Sequence, residues 1–76
     1  MAIKKKEKYN VAVVGATGAV GNAMMAILEE RKFPVNNLIL LASERSEGKR
    51  LKFRGEPIVV RKLTHSSFED IDIALF

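Results

Sequence analysis

Three glycines at intervals of three residues form the motif with the clearest chemistry in this sequence. Gly15, Gly18 and Gly21 lie in the run GATGAVG, after a valine-rich segment and before an amphipathic one. The first glycine of such a motif permits a tight strand-to-helix turn, the second lets a diphosphate approach the backbone, and the third lets helix and strand pack closely. Thr17 adds a hydroxyl donor for the same anion. The motif therefore predicts a dinucleotide phosphate site, with a glycine turn needed only for packing as the alternative.

A second group of polar residues lies about twenty residues beyond the glycines, where dinucleotide folds recognise the adenosine ribose. The run there is Ser43-Glu44-Arg45-Ser46. Ser43 does not repel a ribose 2′-phosphate as a carboxylate would, and Arg45 with Ser46 offers a cation and a hydroxyl donor. This pattern favours NADP, although Glu44 leaves a route to NAD. A solvated charged loop is the alternative for Arg45.

The elements that must position these two groups follow a βαβ pattern. The run Tyr9–Val14 predicts a strand buried on both faces, and residues 38–42 predict a second strand parallel to it. Asn36 and Asn37 are expected to form the turn that precedes the second strand.

A helix is expected between the two strands, from Val20 to Arg31 or Lys32. Pro34 sets its end, because a proline disfavours the helical conformation of the residue before it. The apolar spacing predicts one buried face. Its members are Val20, Ala23, Met24, Ile27 and Leu28.

The remaining residues predict a hairpin, a short helical turn and a final strand. Residues 51–54 alternate between apolar and basic side chains, and residues 58–60 are a β-branched run, so the two segments suit an antiparallel hairpin at a sheet edge. Ser66 and Glu69 match a capping pair of a helical turn that Phe68 would anchor to the core. Residues 71–76 begin as a strand and end while still apolar, so we expect a truncated domain. The predicted fold class is α/β: the N-terminal part of a Rossmann-like dinucleotide-binding domain, with a mostly parallel sheet and a β-hairpin.

Composition and charge exclude several other classes of protein. The chain has 76 residues and a formal charge of +4, and residues 1–8 carry four lysines against one glutamate. We expect a basic solvated tail over residues 1–8 and one folded unit over residues 9–76, rather than a nucleic-acid-binding domain. The absence of cysteine excludes disulfides and a thiol nucleophile from these residues.

The sequence predicts neither membrane association nor catalytic or metal-binding residues. No apolar segment follows the basic run, and no stretch approaches about 18 consecutive apolar residues, so a cytoplasmic location is expected. His65 is the only histidine and has no acid or second ligand in a recognisable pattern. It is interpreted as an ordinary loop residue rather than a general base.

Five segments together resemble the N-terminal part of the aspartate-semialdehyde dehydrogenases. They are VAVVGATGAVG, LEERKFPV, LLASERSEGK, FRGEPIVV and DIALF, in that order over residues 9–76. The resemblance implies an NADP-dependent enzyme that reductively dephosphorylates aspartyl phosphate to aspartate semialdehyde, on the branch to lysine, methionine and threonine. It also implies a homodimer or homotetramer of the complete enzyme, whose small-molecule substrate binds in a later domain.

The resemblance carries over to individual residues. The positions of Thr17, Gly18, Ala19 and Val20 lie along the cofactor phosphates in that family. The positions of Arg45 and Ser46, with Ser43 nearby, recognise the 2′-phosphate. The cysteine nucleophile and assisting histidine of the family lie further along the chain than Phe76, so no residue here inherits a catalytic role.

Two other readings remain open from the sequence. N-acetyl-glutamyl-phosphate reductase has a similar fold and glycine-rich turn, but the run ASERSEGK argues against it. A non-catalytic, NADP-sensing protein of the short-chain dehydrogenase type also carries GATGxxG near its N-terminus. A cysteine and a later histidine beyond these residues would favour the semialdehyde dehydrogenase, whereas a Tyr-x-x-x-Lys pair would favour the short-chain type.

Overall fold

Two parallel strands form the centre of the sheet in the computed structural model, which describes residues 7–64 and 66–76. β1 (Tyr9–Val14) and β2 (Val35–Ala42) pair in parallel, and α1 (Ala19–Glu30) connects them. The βαβ unit predicted from the sequence is thereby confirmed. The first six residues of the predicted basic tail and His65 lie outside the described residues, and the predictions made for them stay predictions.

The complete sheet has the strand order β3-β4-β2-β1-β5. Its outer strands are β3 (Arg50–Phe53), β4 (Glu56–Lys62) and β5 (Ile73–Leu75). β4 is parallel to β2 and β5 is parallel to β1, whereas β3 is antiparallel to β4 and lies at the edge. This arrangement confirms the mostly parallel α/β sheet with an edge hairpin.

The hydrophobic core lies between α1 and one face of the sheet. Val11 and Val13 of β1 stand beside Leu38 and Leu40 of β2 in the parallel register, and Leu40 stands beside Val60. These five side chains are buried. The core therefore runs across the three central strands, and α1 packs on the face that they share.

The buried face of α1 differs from the one predicted from the apolar spacing. Val20 and Ile27 are 65% and 50% exposed, whereas Gly21, Met25 and Leu28 are buried. Of the five predicted residues, Leu28 is in the core, Met24 packs partly against it, and Ala23 is exposed. The predicted face is wrong by about one residue of rotation, because Gly21 must face the backbone of the preceding turn.

α1 ends in a hydrogen-bonded motif that satisfies its last carbonyl groups. The N–H of Phe33 donates to the carbonyl of Leu28 at 3.0 Å, and the N–H of Lys32 donates to that of Glu29 at 3.1 Å. This is the Schellman arrangement, which requires a left-handed residue after the C-cap. Lys32 adopts that conformation with φ 51°, so the helix ends close to the predicted position.

Two local predictions are wrong for the described residues. Asn36 and Asn37 lie inside β2 rather than in a turn, and both side-chain amides donate to the Oδ1 atom of Asn10, at 2.9 and 3.3 Å. Ser66 and Glu69 lie in consecutive turns, not in a capped helix, and the Ser67 hydroxyl accepts from the N–H of Thr64 at 2.8 Å. In both places, hydrogen bonds of short polar side chains replace the structure expected from local propensity.

The aromatic anchor predicted for this region is also incorrect. Phe68 is exposed and stacks on Phe76 with ring centroids 6.2 Å apart. Phe68 therefore does not reach the core beneath α1.

Candidate dinucleotide-binding site

The first glycine of the motif allows the sharp turn that follows β1. Gly15 has φ +76°, a conformation that residues with a Cβ adopt only with strain. The carbonyl of Leu41 accepts hydrogen bonds from the N–H groups of Gly15 at 2.8 Å and Ala16 at 3.2 Å. The turn is thus held at the carboxyl end of the parallel strands, where open α/β sheets bind ligands.

The third glycine sets the distance between α1 and this turn. A Cβ placed on Gly21 would lie 2.2 Å from the carbonyl oxygen of Gly15 and 2.7 Å from the Cα of Ala16. Both are backbone atoms that cannot move aside without displacing the turn. The close packing expected of the third glycine is therefore present.

The second glycine, in contrast, is not required by the fold. Gly18 is the N-cap of α1 with φ −84° and ψ 171°, an extended conformation open to any residue. A Cβ at this position would meet only the carbonyl oxygen of Gly15, at 3.4 Å, and Gly18 is exposed. The surface above this glycine is free for a group that must approach the backbone closely.

The beginning of α1 presents backbone donors beside Gly18. The N–H groups of Ala19, Val20 and Gly21 have no carbonyl one turn earlier within the helix. Ala19 and Val20 are exposed. The helix dipole adds positive potential here, and the first turn holds no acidic residue to oppose an anion.

Asn22 supports the turn, although it belongs to neither of the two predicted groups of site residues. Its side-chain amide donates to the carbonyl of Gly18 at 2.8 Å and approaches that of Ala16 at 3.4 Å. These bonds use carbonyl oxygens and leave the backbone N–H donors free. Asparagine is unfavourable in helix interiors because its side chain forms hydrogen bonds with the nearby backbone. Its occurrence in the first turn of the predicted helix was the sequence feature that could have indicated this role.

The loop after β2 begins with a short 3-10 helix, Glu44–Ser46. Ser43 precedes it and accepts, through its carbonyl, a hydrogen bond from the N–H of Ser46 at 2.9 Å. Ser43, Glu44 and Arg45 are exposed, whereas Ser46 is only 8% exposed. The loop therefore leaves Arg45 accessible to solvent and buries Ser46.

The two predicted halves of the site meet through a pair of hydroxyl groups. Thr17 Oγ1 lies 3.2 Å from Ser46 Oγ, at hydrogen-bonding distance across 29 residues of sequence. The structure thus brings the glycine turn and the loop after β2 together. It does not place Ser46 on the exposed surface beside Ser43 and Arg45.

Other surfaces of the described residues lie apart from this site. A cavity of about 370 Å³ lies on the sheet side that carries Asn10 and Leu41, and no residue of the glycine motif lines it. Within residues 7–64 and 66–76, no three metal-ligating side chains are grouped closely enough to hold a metal ion. No helix in the same residues is long and apolar enough to cross a bilayer.

The fold and the turn define a class of protein. A parallel sheet whose first strand passes through a glycine turn into a helix N-terminus, with a polar loop after the neighbouring strand, is a dinucleotide-binding α/β domain. A family profile described as "Semialdehyde dehydrogenase, NAD binding domain" matches residues 10–76. The chain belongs to that family.

Similar proteins support this assignment over most of the chain. An aspartate-semialdehyde dehydrogenase of Aquifex aeolicus is 58% identical over 69 residues, which span 90% of this chain and 20% of the relative. One of Vibrio mimicus is 50% identical over 70 residues, 92% of this chain and 22% of the relative. The crystal structure of the Vibrio cholerae aspartate semialdehyde dehydrogenase II complexed with ASA matches with a TM-score of 0.86 and 51% identity, over 91% of this chain and 22% of that one.

The chain therefore spans about a fifth of the length of these relatives. The family and its relatives favour the semialdehyde dehydrogenase over the two alternative readings of the sequence.

Proposed function

We propose that this chain forms the NADP-binding part of an aspartate-semialdehyde dehydrogenase, which reductively dephosphorylates aspartyl phosphate to aspartate semialdehyde. The proposal depends mainly on the presence of glycine at position 18, where the fold does not require one. Its conformation and surroundings admit a side chain, and yet the residue is glycine beside a row of backbone donors. A bound diphosphate that must lie against the backbone explains why no side chain is present at this position.

The diphosphate is bound by the beginning of α1. Backbone N–H groups of the exposed Ala19 and Val20 donate to its oxygens, and the Thr17 hydroxyl adds a side-chain donor. Gly15 and Gly21 contribute indirectly, because they allow the turn and the helix to adopt the position that binding requires.

The loop after β2 selects NADP over NAD. Arg45 is exposed and can approach a 2′-phosphate, and Ser43 supplies a hydroxyl without negative charge. Glu44 is exposed on the same 3-10 helix and would serve the ribose of NAD if it turned toward it. The cation of Arg45 favours the phosphorylated cofactor, because a charge-assisted contact is stronger than one to a neutral hydroxyl.

The division of chemical roles follows from these residues. When bound, the nicotinamide cofactor supplies the hydride for the reduction. The residues of this chain bind and orient it, and none of them is a cysteine that could hold the acyl group.

A chimera tests the whole proposal. The corresponding fifth of the Vibrio cholerae enzyme is replaced by this chain, to which it is 51% identical. We expect the chimera to oxidise aspartate semialdehyde with NADP and phosphate, and Gly18→Ala to raise its KM for NADP at least tenfold. A folded chimera that binds no NADP would contradict the proposal, whereas unchanged kinetics in Gly18→Ala would contradict the role of Gly18.

A further inference from the structure

The side chain of Asn22 in α1 donates to two carbonyl groups of the glycine turn, those of Ala16 and Gly18. We infer that Asn22 is a positioning residue for the cofactor diphosphate, which orients and polarises the backbone N–H groups of Thr17 and Ala19 without touching the cofactor. This inference rests on the proposed function, because it concerns how the same site binds its anion.

The amide group of Asn22 has the protons that these two bonds require. Its Nδ2 atom lies 2.8 Å from the carbonyl oxygen of Gly18 and 3.4 Å from that of Ala16. An amide nitrogen of asparagine carries two protons, so one atom can serve both acceptors. Carbonyl oxygens accept and never donate, so the nitrogen of the amide, and not its oxygen, must face them.

The two carbonyl groups belong to the peptide units that carry the N–H groups of Thr17 and Ala19. A peptide unit joins the carbonyl of one residue to the N–H of the next through a bond of partial double-bond character. A hydrogen bond accepted by the carbonyl therefore makes the N–H of the same unit a stronger donor. Within residues 7–64 and 66–76, no backbone carbonyl accepts from either N–H, so both are free to bind an anion.

The peptide unit between Gly18 and Ala19 is the more strongly polarised of the two. The Gly18 carbonyl accepts from the backbone N–H of Asn22 at 3.0 Å and from its side chain at 2.8 Å, which uses both lone pairs. Ala19 is exposed, whereas Thr17 is half-buried. Asn22 therefore strengthens the Ala19 donor most, and its longer bond to Ala16 has a smaller effect on Thr17.

A purely structural role of Asn22 predicts a different result from a positioning role. Alanine is the best helix former and asparagine is one of the weaker ones, so Asn22→Ala removes both bonds while it raises helix propensity. Asn22 is exposed, and its replacement leaves no cavity in the core. A loss of cofactor affinity without a loss of stability would therefore separate the positioning role from the structural one.

The amide resonances of the free 76-residue chain test the polarisation without any cofactor. In Asn22→Ala, the amide proton of Ala19 should move upfield, because the carbonyl of its peptide unit loses a donor, and that of Thr17 should move less. Asn22→Ser is the matched control, since a serine hydroxyl in a helix can donate to the carbonyl four residues earlier, here Gly18. In this variant, the Ala19 resonance should stay close to its unmodified position, while that of Thr17 moves as in Asn22→Ala.

Dissociation constants of NADP and NAD, measured by amide chemical-shift titration, test the consequence for binding. Asn22→Ala should weaken both cofactors equally, by about two- to tenfold, because a cooperative strengthening of about 10–30% per bond acts on donors to the diphosphate that both carry. Asn22→Ser should bind each within about twofold of the unmodified chain. The thermal unfolding midpoint of Asn22→Ala should be no lower than that of the unmodified chain.

A second variant removes the same protons without shortening the side chain. Asn22→Asp keeps the shape of asparagine, has no proton to donate when ionised, and adds negative charge beside the bound anion. It should weaken both cofactors more than Asn22→Ala does. Ala23→Asp adds the same charge at the next exposed position but leaves both carbonyl bonds intact, so it should weaken them less.

Four outcomes would overturn the inference. They are an Ala19 resonance that does not move in Asn22→Ala, unchanged cofactor affinities in that variant, a loss confined to NADP, and a loss that accompanies a lowered unfolding midpoint and is not restored by Asn22→Ser. An unmodified folded chain that binds neither cofactor would overturn the proposed function together with this inference. The first four outcomes leave cofactor binding by the unmodified chain intact, so the two failures are distinguishable.

Discussion

Gly21 of α1 lies directly against Gly15 of the preceding turn, and a Cβ on Gly21 would come within 2.2 Å of the Gly15 carbonyl oxygen. This contact fixes both the distance and the rotation of the helix relative to β1. Residues one and two turns later, Met25 and Leu28, share the face of Gly21 and therefore enter the core.

Gly21→Ala should destabilise the chain more than Gly18→Ala. Overpacking against backbone typically costs about 1–3 kcal/mol, and the clash here should reach the upper end. Gly18→Ala should cost at most about 1 kcal/mol, because alanine is only a poorer N-cap than glycine. Thermal unfolding followed by circular dichroism makes the comparison. Equal midpoints for the two variants would contradict the packing role of Gly21.

The rotation of α1 predicts different costs for two large apolar side chains of the same helix. Met25→Ala should lower the free energy of unfolding by about 2–5 kcal/mol, because Met25 is buried. Ile27→Ala should lower it by less than about 1 kcal/mol, since half of Ile27 is exposed and alanine favours helix. Urea unfolding measures both. A larger loss of unfolding free energy for Ile27→Ala than for Met25→Ala would contradict the observed rotation and favour the face predicted from the apolar spacing.

The C-terminus of α1 predicts a stabilising substitution. Lys32 has φ 51°, where a Cβ is strained, so Lys32→Gly should raise the free energy of unfolding by about 0.5–1 kcal/mol. Arg31 has φ −85°, and Arg31→Gly should instead lower it by about the same amount. Differential scanning calorimetry measures the shifts. A destabilised Lys32→Gly would show that the left-handed conformation is not populated in solution.

Much of the central fold was predictable because it depends on local signals. Valine-rich β1, the glycine motif and the apolar run of β2 each predict an element, and their order gives the parallel βαβ unit. The sequence also determines the rotation of α1, but through Gly21 rather than through the spacing of the apolar residues. Two overlapping apolar stripes were available, and only the contact of Gly21 with Gly15 selects one of them.

Other features required the tertiary structure. Asn36 and Asn37 favour turns locally, but their amides meet the Asn10 side chain only when β2 lies beside β1. The contact between Thr17 and Ser46 joins residues 29 positions apart, and the spacing of each motif contains no information about it. The sequence thus predicted two regions for the candidate site, and the fold determines that they touch through Thr17 and Ser46.

Removal of the Arg45 cation tests most directly how the chain distinguishes NADP from NAD. Arg45→Ala removes the proposed charge-assisted contact with the 2′-phosphate, a class of interaction worth about 1.5–3 kcal/mol. Arg31→Ala makes the same change of charge at the opposite end of α1 and serves as the matched control. Ser43→Asp adds a carboxylate at the proposed position of the ribose and should shift the preference toward NAD.

Isothermal titration calorimetry of the chain with NADP and NAD makes this measurement. We expect Arg45→Ala to weaken NADP about ten- to a hundredfold and NAD by less than about twofold, with no selective effect in Arg31→Ala. An equal loss of NADP and NAD affinity in Arg45→Ala would contradict the assignment of this loop to the 2′-phosphate.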